Sequence, residues 1–210
     1  MATITKLTEQ YLASHPSIRD CLKKRIINYS QLARLIRKEL KNKRITMEAI
    51  LIACRRYSHK IQKEKSDEEA IIRVLKGSEL EIKNKIVVVI IDKEIYIDNL
   101  MDIEKKIRKK TDTFYAIEGT TSFTLIITEK YLDDVKKLFE HDIIKVTTDL
   151  ALIILKSPRT LEHTRGVMGY LASLFSEHNV NIYETISCWT DTIFVVGEND
   201  VANVMGFLKF

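Results

Sequence analysis

The chain has 210 residues, of which 45% are apolar, so it can form packed cores in one to three domains. No apolar stretch approaches the roughly 20 residues that a helix needs to span a bilayer, and the amino terminus lacks the layout of a secretory signal. Three distant cysteines form no CxxC pair, so the sequence offers neither a disulfide framework nor a metal site. We therefore expect a cytoplasmic protein without a membrane segment.

Charge is divided unequally along the sequence. Residues 1–65 carry 16 basic and five acidic side chains, a net charge of +11, whereas the remainder carries 18 basic and 24 acidic ones, a net charge of −6. Such asymmetry predicts two modules with different partners. DNA is a candidate partner, since a small basic module can contact phosphates. The alternatives are a solvated helical surface, or a basic face that docks on the acidic half of the same protein.

Residues 5–61 are predicted to form four helices. The first should end before Pro16, because the residue that precedes a proline is pushed out of the helical region. The side chains of Ser17, Ser30 and Thr46 are candidate amino-terminal caps for the other three helices. A polar stretch over residues 62–67 then separates this module from the rest, and a short linker helix is predicted to end at Gly77.

The third helix carries a recognisable pattern. Its start, Ser30-Gln31-Leu32-Ala33-Arg34, resembles the first helix of helix-turn-helix transcription regulators. The resemblance implies that residues 47–59 form the recognition helix. Candidate nucleic-acid contacts are Arg34, Lys43, Arg44, Arg55 and Arg56.

Two observations favour a different use of the same module. The connection over residues 38–44 is longer than the usual tight turn, and the fourth helix begins with Met47 and Glu48, which are poor readers of base edges. The module could therefore have a helix-turn-helix shape and serve as a docking surface.

After Lys83 the order strand, helix, strand, strand, helix is predicted twice. Apolar runs over residues 85–91 and 150–156 mark the first strand of each copy. The offset of about 66 to 70 residues suits a duplicated ferredoxin-like unit. A strand at Ile143 closes the first copy, whereas the second lacks its last strand. Either another element shields that edge or a second subunit pairs with it, which favours a homo-oligomer.

The second copy contains Arg165-Gly166-Val167-Met168 at a helix start and Val180-Asn181-Ile182 at the next strand. It resembles the ACT domain, most closely the ACT segments that regulate aspartokinases. The resemblance implies an α+β fold: an all-α helix-turn-helix-like module followed by two ferredoxin-like βαββαβ ACT units with antiparallel sheets. The expected divisions are residues 1–65 for the basic module, 66–82 for the linker helix, 83–148 for the first ACT unit and 149–210 for the second.

ACT domains bind amino acids and similar effectors, so the resemblance implies a small-molecule site. The start of a helix offers free N–H groups that suit a carboxylate. The loop of the first copy, residues 92–97, has no glycine, and we expect that copy to be structural. In the second copy, Gly166 could instead serve only close packing. The candidate ligand-binding residues are Glu162, His163, Thr164, Arg165, Gly166, Val167, Asn181 and Ile182.

The sequence has no HExxH, GxSxG, phosphate loop or GxGxxG motif, so we expect no enzyme activity, no cofactor and no metal. The leading hypothesis is an amino-acid-responsive transcription regulator. The alternatives are a regulatory protein that docks on an enzyme of amino-acid metabolism, and a scaffold that has lost ligand binding. A Gly166→Val change is expected to abolish binding without unfolding the protein.

Overall fold

The computed structural model describes residues 3–40, 45–62, 68–93 and 97–210, without the side chains of Ile97 and Asp98. Its backbone divides into two compact units, Met1–Ser66 and Asp67–Phe210. Over these described ranges, no helix is long and apolar enough to cross a membrane.

The amino-terminal unit contains the four predicted helices. They are α1 (Ile4–Ala13), α2 (Pro16–Lys23), α3 (Tyr29–Leu40) and α4 (Met47–Gln62). The central helix is α4, which the other three contact. One face of α4 is buried at the i, i+3, i+4 spacing of an amphipathic helix. Its buried residues are Ile50, Ala53, Cys54, Tyr57, Ser58 and Ile61.

The helix starts differ from the sequence-based prediction at two places. The Thr46 hydroxyl accepts a hydrogen bond from the Ala49 amide at 3.3 Å, as predicted for the cap of α4. The prediction that Ser30 caps α3 was wrong, because the Asn28 side chain accepts hydrogen bonds from the Ser30 and Gln31 amides. The prediction that Ser17 caps α2 was also wrong, since α2 already begins at Pro16. Proline suits the first helical position, where its missing N–H would have no partner.

The second unit is a six-stranded antiparallel sheet with helices. Its strand order is β2-β3-β1-β4-β6-β5. The strands are β1 (Glu79–Asp92), β2 (Phe114–Glu118), β3 (Ser122–Thr128), β4 (Ile143–Lys156), β5 (Ile182–Cys188) and β6 (Asp191–Gly197). The helices are α5 (Glu68–Lys76), α6 (Ile97–Arg108), α7 (Leu132–Leu138), α8 (Val167–Glu177) and α9 (Val201–Phe207).

Strands β1 and β4 are long and belong to both halves of the sheet. The start of β1 pairs with the end of β4, from Glu79 opposite Lys156 to Lys83 opposite Leu152. The predicted divisions at residues 82/83 and 148/149 therefore fall inside continuous strands. The start of β1 also lies where the second strand-helix repeat lacked its last strand, so another element of the same chain occupies that edge. Charged residues at this point resemble a loop in sequence, but strand pairing supplies their backbone hydrogen bonds.

The sheet bends where these two strands pass from one half to the other. Pairing between β1 and β4 is irregular after Lys83, and both Lys85 (φ 56°) and Asp149 (φ 58°) adopt the left-handed conformation. Such bulges increase the local twist and bend of a strand. The helix-free face is nevertheless buried by apolar residues from four strands, including Ile126 on β3 and Val195 on β6. We infer that the two halves fold toward each other across this face.

The opposite face of each half is covered by helices. In the first half, Ile103 and Ile107 of α6 and Val135 of α7 pack on the apolar side chains of β1 and β3. In the second half, α5, α8 and α9 cover the inner strands β4 and β6, and the Phe175 and Phe194 rings lie 4.6 Å apart between centroids. Leu138, Met168 and Met205 lie on these helices and are exposed to solvent.

Candidate binding site at the start of helix α8

A cavity of ≈ 240 Å³ lies beside the first turn of α8. One wall is the helix start and the loop before it, and the other is the end of β5. Its lining residues are Leu161, Glu162, Thr164, Gly166, Val167, Met168, Gly169, Ser187 and Trp189.

The helix start is open because of Gly166. This residue precedes α8 with φ of 89°, a left-handed conformation that glycine adopts without steric cost. No side chain caps the helix, and its first hydrogen bond runs from the Tyr170 amide to the Gly166 carbonyl at 2.9 Å. The amides of the first turn have no partner within the helix, and the helix dipole places partial positive charge there. The cavity therefore offers hydrogen-bond donors to an anionic group.

The walls of the cavity are held by local contacts. The Thr164 hydroxyl donates to the Thr160 carbonyl at 2.7 Å, which closes the loop before α8. The Arg159 guanidinium lies 5.3 Å from the centre of the Trp189 ring, a cation–π distance. The Thr192 hydroxyl lies 3.8 Å from the Met168 sulfur, which links α8 to β6. Trp189, 60% exposed, lines the cavity at the end of β5.

Gly166 also has a packing role. A methyl group at this position would lie 3.2 Å from Cδ1 of Ile71 on α5, a tight contact. Gly166 therefore packs closely against α5 and also leaves the start of α8 open. The expectation that Gly166→Val leaves the fold intact is in conflict with this geometry, because a β-branched residue is strained at this φ.

The structure brings together only part of the predicted ligand site. Glu162, Thr164, Gly166 and Val167 line the cavity, whereas His163 and Arg165 are exposed beside it. Asn181 and Ile182, which were also predicted for this site, do not line the cavity. Both follow the other end of α8, whose 11 residues span about 16 Å.

Five lining residues were missed from the sequence. Met168 and Gly169 belong to the first turn of α8, and their place one and two residues after the predicted Val167 was the available signal. Ser187 and Trp189 reach the cavity only because β5 lies beside this part of the sheet, which no local pattern indicates. The missed residues are Leu161, Met168, Gly169, Ser187 and Trp189.

The second candidate surface is the exposed side of α3 and α4. Arg34, Arg55 and Arg56 are exposed, whereas Lys43 and Arg44 lie outside the described residues. Near the end of α4, His59 and Lys60 extend the basic surface. Its beginning presents Glu48 and Ile52, so the basic part of α4 is its second half.

The described residues show no cluster of histidine, cysteine and carboxylate side chains that could hold a metal ion. Cys188 is exposed, Cys21 is half-buried and Cys54 is buried, and no disulfide joins them. Burial raises the pKa of the Cys54 thiol to about 11, so this thiol is protonated at neutral pH.

No protein-family model matches the sequence, and no curated protein is significantly similar to it. Among solved structures, the chain is similar to aspartate kinase from Clostridium acetobutylicum, with 18% identity and a TM-score of 0.50 over 62% of this chain and 33% of that chain. It is also similar to the ligand-free regulatory subunit of aspartate kinase from Thermus thermophilus, with 7% identity and a TM-score of 0.48 over 61% and 92%. A third is Escherichia coli aspartokinase III in complex with lysine and aspartate, with 14% identity and a TM-score of 0.45 over 61% and 31%.

This chain thus spans about a third of the length of the Clostridium enzyme. The similarity supports an ACT-like fold of mixed α and β structure with an antiparallel sheet. It leaves the helix-turn-helix character of the amino-terminal unit a prediction.

Proposed function

We propose that the protein is a non-catalytic regulator in which two intertwined ACT-like units bind an amino-acid effector. The first unit consists of β1, α6, β2, β3, α7 and the start of β4. The second consists of the rest of β4, α8, β5, β6 and α9, with the start of β1 as its last strand. The observation that carries the proposal is the cavity at the uncapped start of α8.

The chemistry of this cavity suits an amino acid. The amides that follow Gly166 would bind the carboxylate, since an anion is favoured at a helix start. The carboxylate of Glu162 would meet the ammonium group. Leu161, Met168 and Trp189 are left to contact the side chain of the effector. Arg165 would contribute positive charge at the rim beside His163, and Asn181 and Ile182 lie beyond the far end of α8 in the same chain.

The effector site also lies next to a helix that leads out of the sheet. Ile71 on α5 approaches Gly166, and α5 directly follows residues 63–67, which connect it to the amino-terminal unit. A ligand that binds differently to two positions of α5 would shift their populations, which is the requirement for regulation. The proposed output is control of the amino-terminal unit by the effector.

We propose DNA as the partner of that unit, which makes the protein an amino-acid-responsive transcription regulator. Arg34 on α3 and Arg55, Arg56, His59 and Lys60 on α4 would contact phosphates. Glu48 lies in the first turn of α4, so contact with the backbone is a better fit than direct reading of bases.

A second candidate is a regulator that docks on an enzyme of amino-acid metabolism. The observation in its favour is that Leu35 and Ile52, on the exposed sides of α3 and α4, are 43% and 45% accessible to solvent. Apolar side chains of this kind suit a protein partner better than phosphates. Retention of an enzyme from a lysate by the wild-type protein, and its loss with Leu35→Glu and Ile52→Glu, would favour this candidate.

The effector site is tested by titration calorimetry of the full chain with each common amino acid. Gly169 lines the cavity, and a Cβ there would meet nothing within 4 Å, so Gly169→Leu fills the cavity without backbone strain. The matched control is Gly206→Leu on α9, where a Cβ is equally free. We expect one amino acid to bind the wild type and Gly206→Leu, and not Gly169→Leu. Absence of heat with every amino acid, or equal binding by both variants, would refute the proposed site.

A further inference from the structure

A groove lies between α7 and the start of β4, away from the effector site. It has a volume of ≈ 560 Å³ and an apolar floor. Its lining residues are Asp133, Lys136, Lys137, Glu140, Ile143 and Val146, and we name it the α7 groove.

The strand beside this groove has an open edge. Strand β6 pairs with β4 only from Leu150 onward, so in the described part of the chain residues 143–149 have β1 on one side and no strand on the other. The pairing with β1 shifts between Ile90 and Ile91, and the extra residue on β4 is Ile144. Ile144 is 59% exposed, more than any other large apolar side chain that the structure describes in the second unit except Trp189.

The start of β1 is another open edge of the same sheet, and charged side chains protect it more fully than they protect the start of β4. The start of β1 carries Glu79, Glu81, Lys83 and Lys85, and Glu81 forms ion pairs with Lys83 and Lys156. Charges of this kind discourage pairing with a further chain. At the start of β4, Ile143, Ile144 and Val146 stand around Lys145, and the polar residues Thr147, Thr148 and Asp149 follow. An exposed edge of this composition indicates a contact surface.

We propose that the α7 groove and Ile144 form an isologous interface with a second copy of this chain. The same surface must then complement itself across a two-fold axis. It carries a protruding Ile144 next to an apolar groove, so Ile144 of each copy can enter the groove of the other. The groove rim is balanced, with Asp133 and Glu140 against Lys136 and Lys137. Balanced charges suit an identical partner better than a polyanion or a polycation, since each copy offers both signs.

This interface lies on the first unit, away from the second-unit edge for which the sequence predicted pairing between subunits, and it stands apart from effector and DNA binding. It also differs from the outer edge of β5, where Tyr183 is 45% exposed and provides a matched control.

The test is sedimentation velocity of the full chain at micromolar concentration, with thermal melts to confirm folding. We expect a dimer for the wild type and for Tyr183→Lys. Ile144→Lys should raise the dimer dissociation constant about a hundredfold or more, because it buries an unpaired charge. A monomeric wild type, an unchanged dimer with Ile144→Lys, or dissociation with Tyr183→Lys would overturn the proposal.

A charge exchange provides a test that does not depend on an apolar core. The double variant Lys136→Glu, Lys137→Glu should dissociate, and so should Asp133→Lys, Glu140→Lys. A mixture of the two should form a heterodimer, since opposite rims then meet. Failure of the mixture to associate would contradict the interface. Calorimetry on the same samples distinguishes this outcome from a failure of effector binding.

Discussion

The ring of Tyr115 on β2 packs on an apolar cluster that includes Ile193 on β6. Burial is the main cause that raises the pKa of Tyr115, and the charges of Asp191 and then Glu81 add to it. In a flat sheet of this order, β2 and β6 would be four strand spacings apart, about 19 Å. Their proximity requires the sheet to fold over, so Tyr115 reports on contact between the two halves.

Removal of this phenol should change the stability of the protein at alkaline pH. The pKa of Tyr115 is raised in the folded state. Its contribution to the free energy of unfolding is therefore present below the unfolded pKa of about 10 and is lost as pH rises through the folded pKa. We therefore expect Tyr115→Phe to lose less stability than the wild type between pH 8 and pH 11. Denaturant unfolding at both pH values measures the difference. An equal loss in both proteins would place Tyr115 in water instead of between the halves.

Glu184 on β5 predicts an effect in the acidic range. Burial raises the pKa of its carboxyl group. The contribution of Glu184 to the free energy of unfolding is therefore fully present below the unfolded pKa of about 4.3. It is lost as pH rises through the folded pKa. Glu184→Gln should be more stable than the wild type at pH 7, and the gap should close near pH 4. Urea unfolding of both proteins at pH 4 and pH 7 measures the gap, and a gap that does not change with pH would contradict the prediction.

Replacement by alanine should lower the stability of the protein at Gly166 and raise it at Gly169 and Gly206. Gly166→Ala places a Cβ at φ of 89° and 3.2 Å from Ile71, and the left-handed conformation alone costs an L-residue about 1–2 kcal/mol. Gly169→Ala and Gly206→Ala meet no atom within 4 Å and should each raise the free energy of unfolding by up to about 1 kcal/mol. Thermal melts of the three variants measure the order. A stabilised Gly166→Ala would show that the helix start adopts another conformation.

The bend of the sheet can be tested at Lys85. Its φ of 56° is unfavourable for most residues and especially for β-branched ones. We expect Lys85→Gly to be as stable as the wild type or more so, and Lys85→Val to lose about 1–3 kcal/mol of unfolding free energy. Urea unfolding measures both. Equal stability of the two variants would indicate an ordinary extended strand at this position.

Binding of duplex DNA should depend strongly on salt and on the second half of α4. Reversal of charge in Arg55→Glu, Arg56→Glu should weaken binding and reduce the slope of affinity against salt concentration, because two phosphate contacts are lost. The matched control is Lys109→Glu, Lys110→Glu, just after α6 of the second unit. Gel retardation at low and moderate salt measures both variants. No retardation of the wild type even at low salt would favour the enzyme-docking alternative.

Local patterns predicted the elements of this chain better than their connections. The four amino-terminal helices and the order of strands and helices after Lys83 follow from apolar spacing. The shared strands could not be predicted, because Lys83 and Lys85 resemble a loop until the pairing with β4 is known. The fold over the helix-free face is equally non-local, and only Ile126, Val195 and their neighbours reveal it.

The sequence predicted only part of the candidate site, because some of the lining residues reach the cavity only through the sheet. The loop and helix start around Gly166 are contiguous in sequence, so a helix signal was enough to find them. Ser187 and Trp189 lie about 20 residues further on and reach the cavity through the sheet. Asn181 was placed there by resemblance, although α8 separates it from Gly166.

The central claim is that amide donors at the start of α8 bind an amino-acid carboxylate. The most direct measurement is the ¹⁵N–¹H spectrum of the labelled full chain during titration with the amino acid that gives heat in calorimetry. We expect the largest shifts at the amides of Val167, Met168 and Gly169, together with the indole N–H of Trp189. Saturable shifts centred elsewhere, with these signals unchanged, would contradict the account.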